Sequence, residues 1–337
     1  MTIVYPYSLF PAAGSLFPTR AHMDSQKMNT LSLTFGKALS ANRSGGDKSF
    51  ALPSKEVVTK ICCQYVEALF PLFYHSDLGS NFPRQARLYL KDIERLLAEQ
   101  ICRAIRLECH CQGGRIPVGI EKSARERVDA VLERLPSLAR LLASDADAAF
   151  SNDPAAAGLE EVLLSYPSIE AITVQRLAHC LYLLEVPYIP RMMTEAAHSR
   201  TAIDINPGAA IGESFFIDHG SGVVIGETAT IGNKVTLYHG VTLGAFNPLA
   251  KDDQAQLRRG PTNKRHPDLE DHVTVYPNAT ILGGNTRVGH HSVIGGNVWL
   301  THSVGPYSKV VVKDPELLIH DGSPKSLGVF NAAGAGI

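Results

Sequence analysis

The chain carries no excess of charge of either sign. Lys and Arg number 32 against 33 Asp and Glu in 337 residues. That balance gives no sign of a nucleic-acid binder, and no acidic run marks a solvating tail. No uninterrupted apolar stretch reaches the roughly 18–20 residues that a membrane span needs. The six cysteines, Cys62, Cys63, Cys102, Cys109, Cys111 and Cys180, form no C-x-x-C pair. The fragment Cys109-His110-Cys111 lacks both the partners and the spacing of a zinc site. Ordinary thiols in a reducing cytoplasm are the simplest reading of this set. With 45% hydrophobic and 19% charged residues, the chain has the make-up of a globular protein and is long enough for two domains.

Residues 1–50 differ from the rest. They hold Pro6, Pro11, Pro18, Gly14, Gly36, Gly45 and Gly46, many serines, and only Asp24 and Asp47 as acids. This composition predicts a disordered extension. Two alternatives stand beside it: a transit peptide, which is also poor in acids, and a start placed too early, with Met23 and Met28 as internal candidates.

Residues 51–200 read as an all-α domain. Pro53-Ser54 signals a helix start, and Val57, Val58, Ile61, Tyr65 and Leu69 follow at helical spacing. Pro83 opens a second helix carrying Leu88, Ile93, Leu96, Leu97, Ile101 and Ile105. A third is expected over 122–135 and a fourth from Pro136 to 149. Asn152-Asp153-Pro154 marks a turn, and Pro167 starts a further helix with Ile169, Ile172, Leu177, Leu181 and Leu184.

Near residue 203 the apolar period changes to six. Ile205, Ile211 and Ile217 form one series; Ile225, Ile231, Leu237 and Leu243 a second; Leu282, Val288, Ile294 and Leu300 a third. A period of six suits neither an α-helix nor a hairpin sheet. It fits a parallel β-helix, in which each coil carries three short strands and buries its apolar face only by stacking on its neighbours. The phase breaks twice. Ile217 to Ile225 is a step of eight, at His219-Gly220-Ser221-Gly222. Between Leu243 and Val273 the repeat vanishes into a polar stretch, predicted to be a loop extruded over 246–266. The β-helix spans 201–312, and the Gly/Ala-rich segment 313–337 reads as a flexible tail.

Polar groups cluster at the first coils: Asp204, Asp218, His219, Glu227 and His239, with Arg265-His266 closing the loop. A histidine backed by a carboxylate can take a proton from an alcohol, because the carboxylate fixes its tautomer and stabilises the imidazolium. Asp204 and His219 are fifteen positions apart. With about eighteen residues per coil, that spacing brings them close on adjacent coils. The alternative at this point is an ordinary solvated or hydrogen-bonded histidine. It holds more strongly for His239, His290, His291 and His302.

Four stretches resemble serine O-acetyltransferases, of the subgroup with a larger N-terminal helical domain. They are Ile203-Asp204-Ile205-Asn206-Pro207-Gly208-Ala209, Phe216 to Ala229 with its Asp218-His219-Gly220-Ser221-Gly222 core, Val241-Thr242-Leu243-Gly244, and Lys264-Arg265-His266-Pro267. In the helical half, Asn152-Asp153-Pro154-Ala155, Tyr166-Pro167-Ser168-Ile169-Glu170-Ala171 and Arg176-Leu177-Ala178-His179 are similar to the same family. The resemblance spans about 150–312. It implies a left-handed parallel β-helix and direct acetyl transfer from acetyl-CoA, the co-substrate, to the hydroxyl of L-serine, without a metal. By the same resemblance His219 is the general base, Asp204 its orienting carboxylate, and His266 a second catalytic histidine near the substrate carboxylate and hydroxyl. Asp153 and Asp218 hold the serine ammonium, Arg265 its carboxylate, and Glu227 lies at the site edge. CoA would run along a groove between neighbouring subunits, near Gly244, Ala245, Pro277 and Gly296. The family implies a homotrimer or a dimer of trimers. The terminal Gly336-Ile337 resembles the tails that dock into O-acetylserine sulfhydrylase, a free carboxylate beside one apolar side chain. The chain departs from the family at Asn206, where histidine is usual, and at Ala245-Phe246-Asn247-Pro248, where a small residue, Thr, Gly and Lys usually follow Gly244.

A β-helix alone does not fix an activity. Three alternatives stand beside the resemblance: an acyltransferase for homoserine or a sugar hydroxyl, a metal-dependent lyase of the γ-carbonic anhydrase type, and a non-catalytic scaffold. A sugar acyltransferase would lack the helical half with Asp153 and the Asp218-His219 pair. The second needs an H-x-x-x-x-H pair, and His266 and His272 are six apart.

Overall fold

The computed structural model describes residues 30, 51–69, 82–251, 257, 260 and 262–313. The readings of 1–50 (residue 30 apart) and of the tail beyond 313, including Ile337, fall outside the described residues. So does part of the loop 246–266.

Among the described residues seven helices precede the first strand: α1 (Lys55–Leu69), α2 (Phe82–Cys111), α3 (Ile120–Leu132), α4 (Leu135–Asn152), α5 (Leu159–Ser165), α6 (Pro167–Leu183) and α7 (Ile189–Thr201). The Ser54 hydroxyl accepts the Val57 amide at 3.3 Å and caps α1. Val58, Ile61 and Tyr65 of α1 share a core with Ile93, Leu97 and Ile101 of α2. Leu88, expected on that stripe, is instead 55% exposed. It lies five positions before Ile93 and so points about 140° round the helix from it. Pro136 falls in the first turn of α4, where its missing N–H costs nothing. The seven-residue α5 is too short to show a period and was not anticipated.

Helix α6 joins the two halves of the described chain. Ala171 and Ile172 belong to the solenoid core, while Val174, Leu177, Ala178 and Leu181 belong to the helical core. Its Arg176 is buried and forks onto Asp145 of α4, Nε to Oδ2 at 2.7 Å and Nη2 to Oδ1 at 2.8 Å. The same guanidinium donates to the carbonyls of Ile211 and Gly212, at 3.1 and 2.7 Å. Asp145 also accepts the Phe215 amide at 2.9 Å. This buried charge pair rivets the helices to the first coil.

From Asp204 onward the chain winds as a left-handed parallel β-helix. Every ladder is parallel. Sheet A runs β1-β4-β7-β10-β13, sheet B β2-β5-β8-β11 and sheet C β3-β6-β9-β12-β14. Here β1 is Asp204–Ile205, β2 Ala210–Ile211, β3 Phe216–Asp218, β4 Val224–Ile225, β5 Thr230–Ile231, β6 Thr236–Tyr238 and β7 Thr242–Gly244. After the loop come β8 Asp268–Leu269, β9 Thr274–Val275, β10 Thr280–Leu282, β11 Arg287–Val288, β12 Val293–Ile294, β13 Trp299–Leu300 and β14 Lys309–Val310. Successive coils stack Ile205 on Ile225 on Leu243, and Ile211 on Ile231 on Leu269.

Two phase assignments need correction. Leu269 already holds the repeat after the loop, earlier than Val273, because Pro267 and the polar residues before it hid a run of one. In the next coil Ile281, not Leu282, faces Leu243, and Leu282 pairs with Gly244. The step from Ile281 to Val288 is therefore seven, and the extra residue is absorbed at Gly283-Gly284, where Gly283 adopts φ +103°. All six cysteines are free thiols. No helix among the described residues is long and apolar enough to cross a membrane.

Candidate active site

A triangular solenoid has three corners, and the polar residues singled out above occupy two of them. The first corner leads from sheet C into sheet A. The two extra residues in the step from Ile217 to Ile225 form it, with His219 at φ 59°, Gly220 at 86° and Gly222 at 78°. This left-handed run lifts His219 off the coil, and its side chain is 70% exposed. Asp218 ends β3, with Oδ1 3.8 Å from His219 Nδ1. Asp153, the C-cap just past the end of α4, reaches the same corner. Its carboxylate accepts the Ala155 amide at 2.8 Å and the Tyr166 hydroxyl. The Tyr166 hydroxyl, the Ala155 amide and the His219 charge together hold the Asp153 carboxyl below its usual range. In return Asp153 pushes the Tyr166 phenol up to about 12.

Above Asp218 in sheet C lie Tyr238 and Tyr276, stacked at 5.0 Å between centroids. The His239 ring meets His219 edge to face at 5.6 Å, and its buried Nδ1 has no hydrogen-bond partner among the described residues. Asp204 begins β1 beneath this corner: Gly222 N donates to Ala202 O and Asp204 N to Val223 O, each at 2.9 Å. Its carboxylate, however, accepts from Arg191 Nη1 at 3.3 Å, and no hydrogen bond joins it to His219 among the described residues. Glu195, His198 and Asp204 lie close enough to hold a metal ion. Arg191 already supplies a cation there, with Nη2 2.5 Å from Glu195.

The second corner leads from sheet A into sheet B. Glu227 and Thr228 turn it in one coil, and Arg265 and His266 turn it in the next, where the loop returns. Glu227 accepts from Arg265 Nη2 and, at 3.0 Å, from the Tyr182 hydroxyl of α6. Arg265 Nη1 is taken up by the carbonyls of Gly260 and Asn263, at 3.1 and 3.3 Å. His266 is 8% exposed. Its Nδ1 lies 3.1 Å from the Thr228 amide and 2.9 Å from the Thr228 hydroxyl. Burial, and then the adjacent Arg265 guanidinium, press the imidazole down to about 4 against the opposing pull of Glu227. A Cβ on Gly226 would collide with this ring, so glycine is required there.

The positions expected near CoA divide between the same two corners. Gly244 ends β7 and Ala245 follows it at the second corner. Pro277 and Gly296 stack at the first, where the Asn297 amide donates to Pro277 O at 2.9 Å. His290 and His291 lie at the third corner, between sheets B and C, in a stack with His272 and Tyr307. The structure thus gathers Asp153, Asp218 and His219 at one corner with Asp204 beneath, and Glu227, Arg265 and His266 at another. His239, read from the sequence as an ordinary histidine, lies against His219, whereas the parts of Tyr166, Tyr182 and Thr228 are not given by the sequence. Tyr166 lay within the 166–171 run and Thr228 beside Glu227, but their roles arise from contacts between distant residues.

No protein-family model matches the chain. Whole-chain comparisons do. A plasmid-encoded serine acetyltransferase of Synechococcus elongatus is 44% identical over 270 residues, covering 77% of this chain and 81% of that protein. The serine acetyltransferase of Bacillus subtilis is 40% identical over 183 residues, 54% of this chain and 78% of that one. Among solved structures, serine acetyltransferase 1 of Entamoeba histolytica, in complex with L-cysteine, superposes with a TM-score of 0.65 at 34% identity. That match covers 84% of this chain and 96% of the amoebal one. With the β-helix, the two polar corners and a relative this similar over most of its length, the chain belongs to the serine acetyltransferase family.

Proposed function

We propose that the protein transfers the acetyl group of acetyl-CoA directly to the hydroxyl of L-serine, the first step of cysteine biosynthesis. The observation that carries this reading is the convergence of Asp153, Asp218 and His219 at one corner. Two carboxylates that can hold an ammonium stand beside an imidazole that can take a proton. An amino acid bound by its amine there would bring its side-chain hydroxyl toward His219. L-Cysteine, which the amoebal relative binds, carries the same ammonium and carboxylate as serine.

In this reading His219 removes the hydroxyl proton as the serine oxygen attacks the thioester carbonyl. Collapse of the tetrahedral adduct expels the CoA thiolate, which takes the proton back. Asp204 orients His219 by exchanging Arg191 for the imidazole. Arg265 turns from Glu227 to the serine carboxylate, a bidentate contact suited to its fork. Holding hydroxyl and thioester together supplies roughly 7–11 kcal/mol in ideal cases, and general-base help about 10²–10⁴ in rate. His219→Ala should lower serine-dependent CoA release by at least about 10²-fold with the circular dichroism unchanged. Full turnover by a folded His219→Ala would end the assignment.

The two corners lie at opposite edges of sheet A, so one chain does not bring His219 to Arg265. A homotrimer in which the first corner of one subunit faces the second corner of the next would close the site and form the CoA groove. Val224 and Trp299, exposed on sheet A at 37% and 69%, supply an apolar surface for such packing. A cytoplasmic location agrees with the free thiols. The Ile337 terminus is proposed to dock into O-acetylserine sulfhydrylase, and deleting Ile337 should abolish that binding.

A further inference from the structure

His266 has an unusual set of partners. The Thr228 main-chain N–H points at its Nδ1 at 3.1 Å. The Thr228 hydroxyl lies 2.9 Å from the same atom. That hydroxyl oxygen also accepts the main-chain amides of Arg265 and His266, at 3.0 and 3.1 Å. A hydroxyl has one proton and two lone pairs. Both lone pairs are used, so the proton is directed at Nδ1. Two donors therefore converge on one ring nitrogen, which must present a lone pair. The single proton of the neutral imidazole then sits on Nε2. A proton on Nδ1 would face two others, so the imidazolium is disfavoured by geometry as well as by burial beside Arg265. Nε2 itself has no partner among the described residues, and it is not one of the fully enclosed unpartnered atoms.

We infer that Thr228 is a positioning residue that locks His266 as the neutral Nε2–H tautomer, which makes His266 a hydrogen-bond donor to a carboxylate oxygen of the acceptor substrate and neither an acid nor a base. The role in substrate binding rests on the serine reading above; the tautomer does not. It divides the labour between the two site histidines. His219, exposed at the other corner, does the proton transfer, and His266 holds the substrate next to Arg265.

The test reads the tautomer first. In the full-length protein with ¹⁵N-labelled histidine, the His266 signals are assigned by their loss in His266→Gln. Nδ1 should resonate as unprotonated and Nε2 as protonated, unchanged from about pH 8 to about pH 5.5. A protonated Nδ1, or a ring that titrates within that range, would overturn the inference. Thr228→Val loses the hydroxyl donor and keeps the main-chain one, so an Nδ1–H population should appear beside the Nε2–H form and the KM for serine should rise roughly tenfold while kcat moves far less. Thr228→Ser should restore both. An unchanged tautomer in the valine variant, or a serine variant as impaired as valine, would also overturn it. Should Thr228→Val fail to fold, a second pair decides. Gln places an amide N–H where Nε2–H stands and Asn places one at Nδ1, so His266→Gln should keep a lower KM for serine than His266→Asn. The reverse order contradicts the proposal. Failure of the serine reading would look different: a wild-type enzyme releasing no CoA with serine, its tautomer still fixed.

Discussion

Charged residues in both corners already have internal partners. Arg265 is paired with Glu227, and Asp204 with Arg191. Leaving such groups unpaired in a half-buried site is costly, so each takes the nearest opposite charge within the chain; in the proposed reading Arg265 exchanges Glu227 for the substrate carboxylate and Asp204 exchanges Arg191 for His219. For Arg265 the consequence is measurable. Arg265→Ala should raise the KM for serine at least about tenfold with a smaller change in kcat. An unaltered KM would remove Arg265 from carboxylate recognition. His266 adds a pH dependence. Its folded-state value, about 4, lies below the ordinary histidine value of 6.5. The unfolded chain therefore binds the proton first, and the stabilisation is present above about pH 6.5 and lost as pH falls toward 4. The loss is on the order of 3 kcal/mol. Urea titrations at pH 7 and pH 4.5 should show a smaller difference for His266→Gln than for the wild type. At this scale the motif residues were legible because Asp218-His219 and Arg265-His266 are adjacent in sequence. Thr228 and Tyr166 were not, because each acquires its role from a partner 38 or 13 positions away.

Among the elements, α6 carries the strongest constraint. Its Arg176 is 5% exposed and Asp145 is fully buried, so removal of either partner strands a charge in the interior. Arg176→Ala is expected to destabilise the fold by about 3–5 kcal/mol, read from the midpoint of urea unfolding. A loss under about 1 kcal/mol, the range of surface pairs, would show that the joint is not held by this pair. The run Arg176-Leu177-Ala178-His179 was singled out by resemblance, yet its structural meaning was hidden, since Asp145 lies in another helix. The hexapeptide period, by contrast, was plain in the sequence because each coil repeats one apolar position in a fixed phase. It failed only where the chain departs from six. The extra residue at Gly283-Gly284 shifted the reading from Ile281 to Leu282, and the loop hid Leu269. Leu88 failed for another reason: an apolar residue can sit on a helix and miss the stripe.

At the level of the whole molecule, the solenoid separates the site residues by design of its cross-section. Sequence order runs from His219 to Glu227 in eight positions, but those positions cross sheet A from one corner to the next. The grouping of these candidate residues into two corners is therefore invisible in the sequence until the coil is drawn. In the proposed trimer it also makes the assembly part of the chemistry. A subunit bearing His219→Ala keeps an intact Arg265 corner, and one bearing Arg265→Ala keeps an intact His219 corner. In a closed ring each interface joins one corner of each kind. Co-expressing the two variants in equal amounts should regenerate about one quarter of the wild-type sites, since one interface in four joins both intact corners. Serine-dependent CoA release well above the sum of the two separate variants is the predicted result. Activity no higher than that sum would contradict a site shared between subunits.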